Sequence, residues 1–363
     1  MKKIKVAFFG LAHPHCTALL KAIMNAHDDF EIIGFAEYPT PAPDPSTYEK
    51  RRLHFIEKAG VMEFENYTDL IAKNPDLAVL NTDNASRSKI ACELLEKGIN
   101  VIGEKPMAVN VREALKMYDA AKASGARILT NWPIAWFQSF RCAKKLLDEG
   151  RIGKLMRVTY RSPATWGPFS YAPDGQLPPE DILSNSWWYK AECGGGSILD
   201  YACYGMVLST WFFGKKAESV QGISKNFCTP FSDVEDYSAM ILDFGDGVGL
   251  LEGSWSTYNP GEIPSGPVLY GTEGVIVCDR HSNYTKLYVG RSHKPSEPTE
   301  VYEHGKDAQA ELMGPHIAKV LRGEEKAVEM LSEKLNLWVV AALDAGRQSA
   351  DQKTGVSTEN FEI

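Results

Sequence analysis

The stretch INVIGEKPMAVNVREALKMYDAAKASGARILT, residues 99–130, decides the fold. Ile99 to Gly103 is short, mostly apolar and reads as a buried strand. Val111 to Ala123 has helical periodicity and closes at Ser124-Gly125, and Arg127 to Thr130 reads as a second strand. Strand, helix and strand in that order make a βαβ unit, whose two strands lie parallel in one sheet.

The same alternation extends back to the start of the chain. Ile4 to Phe9 reads as a strand, Cys16 to Ala26 as a helix entered through Pro14, and Glu31 to Ala36 as a strand ending at Glu37. Leu77 to Asn81 is another strand, and Ala85 to Lys97 a helix closed by Gly98. The pattern predicts a doubly wound parallel sheet over residues 1–130. Such sheets bind ligands beyond the carboxyl ends of their strands. Tyr38 to Pro45 is too rich in proline for helix or central strand and reads as a stiff loop, before a helix near Tyr48 to Ala59.

With 363 residues the chain exceeds what one hydrophobic core usually serves, so a second domain over 131–363 is expected. There Met156 to Ser162, Ser219 to Lys225, Tyr237 to Phe244, Val248 to Thr257, Leu269 to Gly271, Val275 to Asp279 and Lys286 to Val289 read as strands of a large, mainly antiparallel sheet. Gly245-Asp246-Gly247 is a hairpin turn, Arg291 to Glu303 a loop, and Leu331 to Ser349 a last helix returning to the first domain. A partly apolar sheet face points to a homo-oligomer, a dimer or tetramer.

Composition excludes several classes. The chain is 44% hydrophobic and 24% charged, with a net charge of −8. It has no basic surplus to neutralise nucleic-acid or acidic lipid phosphates, and no run long enough to cross a bilayer. Seven scattered cysteines, with no C-x-x-C pair, read as reduced thiols of a cytoplasmic protein rather than a disulfide framework or a zinc site.

Candidate site residues fall at the predicted carboxyl ends. The turn after the first strand presents helix N–H groups to a pyrophosphate. Of G-x-G-x-x-G only Gly10 is kept, with Ala12 and His15 in the other two places; His13 and His15 are candidate phosphate donors or plain loop histidines. Glu37 can accept from a ribose 2′-hydroxyl and repel a 2′-phosphate, which favours NAD over NADP. Lys105 closes the strand at 99–103, facing the crevice, where it can bind a substrate hydroxyl or lower a neighbouring phenol's pKa. Gly194-Gly195-Gly196-Ser197 reads as a tight turn opening a helix, capped by Gly196 or Ser197, with Asp200 and Tyr204 on one face. Trp132, Trp136, Trp166, Trp187, Trp188 and Tyr189 come from segments bordering the cleft, and two or three of them are expected to pack on substrate.

Several motifs occur together in order: the strand–turn–helix at the start, GEKPMAVN at 103–110, FRCAKKLLDEGRIGKLMRV at 140–158, GGGSILDYACYG at 194–205 and a late helix near 331–350. Together they resemble the glucose-fructose oxidoreductase / inositol dehydrogenase / rhizopine-catabolism (Gfo/Idh/MocA) family along essentially the whole chain. The resemblance implies an N-terminal Rossmann domain, a C-terminal α+β domain with a large open sheet, and NAD(P)-dependent redox chemistry on sugars, inositols and polyols. It implies Lys105, Asp200 and Tyr204 as catalytic, with either Tyr204 or Lys105 the base. Gly10, Ala12, His13, His15, Glu37, Thr82, Asn84, Glu104 and Lys105 are assigned to the nucleotide. Trp132, Trp166, Trp188, Lys105 and Tyr204 are assigned to the substrate, and no residue to a metal. The chain departs from the common pattern at Tyr204, where a histidine is usual, and at Arg87, where many members also have histidine. Tyrosine at that place resembles the glucose-fructose oxidoreductase and dimeric dihydrodiol dehydrogenase branches. Glycosidase or lyase chemistry through transient oxidation, and non-catalytic nucleotide sensing, are the alternatives.

Overall fold

The computed structural model describes residues 2–41, 45–163, 167, 179–257, 266–279, 284–290, 294, 296–305 and 308–361. The first domain strings together β1 (Ile4–Phe9), α1 (Cys16–Asn25), β2 (Phe30–Ala36), α2 (Pro45–Leu53), β3 (Glu63–Phe64), α3 (Tyr67–Ile71), β4 (Leu77–Leu80), α4 (Asn84–Glu96), β5 (Asn100–Glu104), α5 (Val111–Ser124) and β6 (Ile128–Asn131). Among the described residues the strands pair in the order β3-β2-β1-β4-β5-β6, all parallel. β1 and β4 are almost wholly buried because helices cover both faces, hence their continuous apolar runs. The helix starts are written in the sequence. Asp83 Oδ1 accepts from the Ser86 N–H at the head of α4, and Asn110 Oδ1 from the Glu113 N–H at the head of α5, both at 2.9 Å.

The second domain begins with α6 (Gln138–Asp148) and β7 (Leu155–Pro163), then α7 (Glu180–Ser184) and α8 (Cys203–Phe213). It continues through β8 (Ser219–Lys225), β9 (Tyr237–Asp243), β10 (Val248–Ser254), β11 (Val268–Gly271), β12 (Gly274–Asp279), β13 (Tyr284–Val289) and β14 (Glu300–Glu303). Last come α9 (Gln309–Arg322), α10 (Glu333–Gln352) and β15 (Val356–Ser357). The sheet order is β14-β13-β12-β11-β7-β10-β9-β8-β15, antiparallel except for the parallel pair β7/β10. One face packs on α8 and α10, and the other carries the exposed Ile223 and Ile241.

Helix α10 joins the two domains. It packs on β8 and α8 on one side and on α5 on the other. Its Asp344 accepts from the Val111 N–H at 3.2 Å, and its Arg347 donates to the Val109 carbonyl at 3.0 Å. Two sequence expectations are corrected. The segment 291–303 is not all loop, since Glu300–Glu303 forms the edge strand β14 on β13. Helix α9 was not expected at all; Pro315 interrupts its pattern, and Gly314 lies so close to the Ala22 carbonyl of α1 that a Cβ would come within 2.4 Å.

Candidate active site at the domain junction

The Gly103-Glu104-Lys105 segment leaves β5 between the two domains, and the Lys105–Pro106 peptide is cis. Buried Arg87 pins this turn by donating to the Pro106 carbonyl at 2.6 Å and to Asn84 Oδ1 at 2.9 Å. Burial pulls the Arg87 guanidinium down to about 10, against the nearby carboxylates of Glu104 and Asp83. Arg87 is therefore a structural brace of the turn. Asn84 completes the link by donating to the Gly194 carbonyl of the second domain at 2.8 Å.

Lys105 reaches across the junction. Its Nζ donates to Asp200 Oδ1 and to the Asp200 carbonyl, each at 2.7 Å, and lies 4.7 Å from the centre of the Tyr204 ring. All three residues are buried. Burial alone would depress the ammonium pKa, but Asp200 and Tyr204 beside it hold it well above the ordinary lysine value. An ammonium has three N–H groups; two go to Asp200, which leaves one for an incoming oxygen. The second oxygen of Asp200 accepts from the Trp255 indole at 3.1 Å. Trp255 follows β10 and packs edge-on against Tyr189. Nothing in local sequence spacing marks it as a partner of Asp200.

Asp200 and Tyr204 stand where a π-helical turn, Ile198–Ala202, runs into α8. Gly196 enters this turn at φ +102°, and a Cβ there would sit 2.5 Å from Glu235 Oε1. The expected cap by Gly196 or Ser197 is not what forms. Ser197 makes no side-chain cap, and Glu235 Oε1 accepts from the Ile198 N–H at 2.8 Å instead. A residue so distant in sequence leaves no capping signature beside the glycines. Burial raises the Glu235 carboxyl to about 7.

On the Rossmann side, Glu104 is buried and saturated. Oε1 accepts from the Asn131 amide and Oε2 from His15 Nδ1 at 2.8 Å. Burial would raise its pKa, but His15, Asn131 and Lys105 hold the carboxyl below its ordinary value. His13 is buried between His15 and Trp188, and burial keeps its imidazole well below the usual histidine pKa. Gly10 turns at φ +77°, and a Cβ would meet Thr82 Cγ2 at 3.0 Å, so glycine is required where the chain passes Thr82. Ala12 is buried among Trp187, Trp188 and Leu183. The turn's carbonyls are occupied: Leu11 and Ala12 accept from Arg51 at 2.6 and 3.1 Å, and Ala12 also from the Trp187 indole at 3.4 Å.

The residues present fit a nicotinamide dinucleotide. At the carboxyl ends of β2 and β4, and in the turn after β1, buried polar atoms have no partner among the described residues: Glu37 Oε2, Thr40 Oγ1, both amide atoms of Asn81, and His13 Nε2. Orphaned polar atoms at a Rossmann crevice suit a ligand rich in hydroxyl and phosphate groups. Glu37 otherwise bonds the Tyr48 hydroxyl and the Leu11 and Tyr38 N–H groups, and burial raises its carboxyl pKa.

The aromatic residues are placed differently from the expectation. Trp132 is fully buried, donates its indole N–H to Asn336 at 2.8 Å and packs edge-on against Tyr204. It supports the phenol, and its N–H is not available to a sugar hydroxyl. Trp188 is stacked on Trp187 with ring centres 3.8 Å apart, over His13. Trp136 is buried against His316. Trp166 lies outside the described residues.

The fold is a parallel Rossmann sheet and an open second sheet, joined by a buried lysine–aspartate pair beside a tyrosine. Residues 4–131 match the oxidoreductase family with an NAD-binding Rossmann fold, and residues 140–277 match the GFO/IDH/MocA C-terminal domain. The chain belongs to the Gfo/Idh/MocA oxidoreductase family.

It is 25% identical over 230 residues to trans-1,2-dihydrobenzene-1,2-diol dehydrogenase of Xenopus laevis, covering 62% of this chain and 61% of that protein. It is 27% identical over 249 residues to levoglucosan dehydrogenase of Pseudarthrobacter phenanthrenivorans, covering 61% of each. The matched region thus spans about three fifths of the length of these relatives. In fold it is similar to the WlbA dehydrogenase of Bordetella pertussis in complex with NADH and UDP-GlcNAcA, at TM-score 0.75 and 19% identity over 99% of this chain and 100% of that one. It is likewise similar to aldose-aldose oxidoreductase from Caulobacter crescentus, at TM-score 0.75 and 16% identity over 98% of this chain and 100% of that one.

Proposed function

We propose that the chain transfers a hydride between NAD and a secondary alcohol or cyclic hemiacetal of a sugar, inositol or related polyol. The observation that carries this is the Lys105–Asp200 pair, 2.7 Å long and buried, beside Tyr204 at the junction of the two domains. NAD, when bound, supplies the hydride acceptor. It would be held by the turn after β1 with Gly10, Ala12, His13 and His15, by Glu37 at the end of β2, by Thr82 and Asn84 after β4, and by Glu104 and Lys105 after β5.

Tyr204 takes the hydroxyl proton as the alcohol is oxidised. A free phenol titrates near ~10, so a fixed positive charge is required for it to act near neutral pH. Lys105 is held as an ammonium by Asp200, which suits it to bind the alcohol oxygen and stabilise negative charge, and does not suit it to be the base. Asp200, gripped by Trp255, orients Lys105.

The glutamate at the end of β2 supports NAD over NADP, because a 2′-phosphate there would meet a carboxylate. The seven cysteines are free, which supports a reducing compartment such as the cytoplasm. The exposed apolar side chains Ile223 and Ile241 support assembly of copies through the open sheet face; a one-chain mass by light scattering would remove that part of the reading.

The test is a panel of aldoses, inositols and polyols assayed at 340 nm with both nucleotides. Tyr204→Phe and Lys105→Ala should each lower turnover by about 10²–10⁴-fold, while NADH binding, followed by fluorescence, is kept. Full turnover in either variant overturns the assignment. Product formation without net NADH would move the reading to transient oxidation.

A further inference from the structure

The two domains also meet at the opposite end of the parallel sheet. There a cavity of about 560 Å³ opens between α5 and β6 of the first domain and residues 320–333 of the second, where α9 ends and α10 begins. Small-molecule sites run from about 300 to 1,000 Å³ and favour domain interfaces. The floor is apolar, made by Ala121, Ile128, Leu129, Val320 and Ala327 with the ring of Tyr118 beside them. β6 is the edge strand of its sheet, so no further strand closes this side. Lys105 follows the carboxyl end of β5, whereas the cavity lies at the amino end of the parallel β6. A ligand held here is therefore apart from the Lys105–Asp200 pair.

Three cations from three separate places line the cavity: Lys122 in the last turn of α5, Arg127 just before β6, and Lys326 between α9 and α10. All three are exposed at its rim. Lys122 Nζ stands 5.5 Å from the centre of the Tyr118 ring. The Arg127 guanidinium reaches toward the end of α9, where a Cβ on Gly323 would lie 4.0 Å from Nη2. Among the described residues none of the three side chains is in an ion pair or a hydrogen bond. Arg52, Arg151, Arg161 and Arg322, by contrast, each hold a carboxylate. Glu333 is the one carboxylate of the lining, and it pairs with none of the three cations. The start of α10 is already capped, because Ser332 Oγ accepts from the Leu335 N–H at 3.4 Å, so the attraction here comes from side chains. Three positive charges against one negative leave an excess of two at this cavity, on a chain whose net charge is −8.

We propose that this cavity binds a small organic phosphate, a monoester whose charged group sits among Lys122, Arg127 and Lys326 and whose apolar or aromatic body lies on the Ile128–Leu129 floor beside Tyr118. A phosphate monoester carries close to two negative charges near neutral pH, which matches the excess of positive charge. The planar fork of Arg127 suits two phosphate oxygens, and the two lysines add point charges. The apolar floor selects an organic ester over inorganic phosphate, because only the ester has a body to bury. Glu333 opposes the anion and limits its affinity. The inference does not rest on the redox reading, since binding here is measured without turnover.

The experiment is calorimetric titration of the full-length protein with phenyl phosphate and, separately, with inorganic phosphate. Phenyl phosphate is expected to bind with a Kd on the order of 0.1–1 mM, and inorganic phosphate at least about tenfold more weakly. Arg127→Ala and Lys326→Ala should each weaken phenyl phosphate binding about tenfold. Glu333→Gln should tighten it about 2–5-fold, while Lys225→Ala, an exposed lysine of β8, leaves it unchanged. Circular dichroism checks that each variant folds, and Lys326→Ala, in a connecting segment, decides where Arg127→Ala does not. No saturable binding of phenyl phosphate up to about 10 mM overturns the site, as does wild-type affinity in both Arg127→Ala and Lys326→Ala. Inorganic phosphate bound as tightly as phenyl phosphate overturns the organic ligand. NADH titration separates the two readings: phenyl phosphate binding without NADH binding overturns the nucleotide proposal alone, and the reverse overturns only this cavity.

Discussion

The two sides of the domain junction are built in opposite ways. On the second-domain side the charged groups of the site are paired, although the Ser197 hydroxyl in the entry turn has no partner among the described residues. Both carboxylate oxygens of Asp200 are occupied, by Lys105 and by Trp255, and the entry turn of its helix is capped by Glu235. On the Rossmann side, Glu37 Oε2, the Asn81 amide and His13 Nε2 are buried and have no partner among the described residues. A buried polar atom without a partner costs about 1–3 kcal/mol. Chains keep such atoms where something else completes them. On the proposed reading, the difference separates a wall preorganised for catalysis from a wall shaped for a ligand, and each substitution below acts on one of them.

The largest effect is expected on the saturated wall. Asp200→Ala leaves the Lys105 ammonium buried without its carboxylate, and Trp255 without its acceptor. Breaking one partner of a buried pair costs about 3–5 kcal/mol, and turnover should fall by orders of magnitude with it. Thermal unfolding and steady-state kinetics check both. A variant of unchanged melting temperature would show that the wall is not preorganised by this pair.

This wall was only half legible in the sequence. GEKP and GGG-x-x-x-D named Lys105 and Asp200, because a strand-end lysine and a glycine turn each leave a local mark. Trp255 and Glu235 left none. They are ordinary residues after β10 and before β9, and only the sheet's packing on the helix brings them to Asp200 and Ile198. Five of the six Rossmann strands were readable, since each is a continuous apolar run, whereas the two-residue edge strand β3 was too short to leave a pattern. In the second sheet β7 to β13 were readable as strands, but the short edge strands β14 and β15 and the parallel β7/β10 pair were not, because pairing partners far apart in sequence carry no spacing signal. Trp132 shows the same limit: spacing places an indole near the cleft, but not the bond from its N–H to Asn336.

A smaller effect, on the same wall, is expected from Glu235. Its carboxyl is raised from the ordinary 4.5 to about 7 because it is buried, even though it accepts from the Ile198 N–H. Between those two pH values the folded chain keeps a proton that the unfolded chain releases, so stability falls as pH rises through this window and levels off above about 7. Glu235→Gln keeps the acceptor oxygen and removes the charge. The variant should gain on the wild type by on the order of 2–3 kcal/mol between pH 5 and pH 8. Urea unfolding at those two pH values reads the difference directly, and parallel curves would show that Glu235 does not titrate in the folded chain.

The smallest effect is the one that tests the ligand-shaped wall. Glu37 at the end of β2 has one oxygen, Oε2, with no partner among the described residues, and its other contacts are to the Tyr48 hydroxyl and the Leu11 and Tyr38 N–H groups rather than to a buried ammonium such as Asp200 holds. Glu37→Ala should leave the melting temperature near that of the wild type or slightly raise it, because a partly buried carboxylate is removed. It should shift nucleotide preference toward NADP by about tenfold, the equivalent of about 1.4 kcal/mol, since the carboxylate no longer repels a 2′-phosphate. Fluorescence titration with NADH and NADPH measures the ratio. A strongly destabilised Glu37→Ala with an unchanged ratio would mean that this carboxylate serves the fold through Tyr48 and the Leu11 N–H, and the contrast between the two walls would then fail on the Rossmann side.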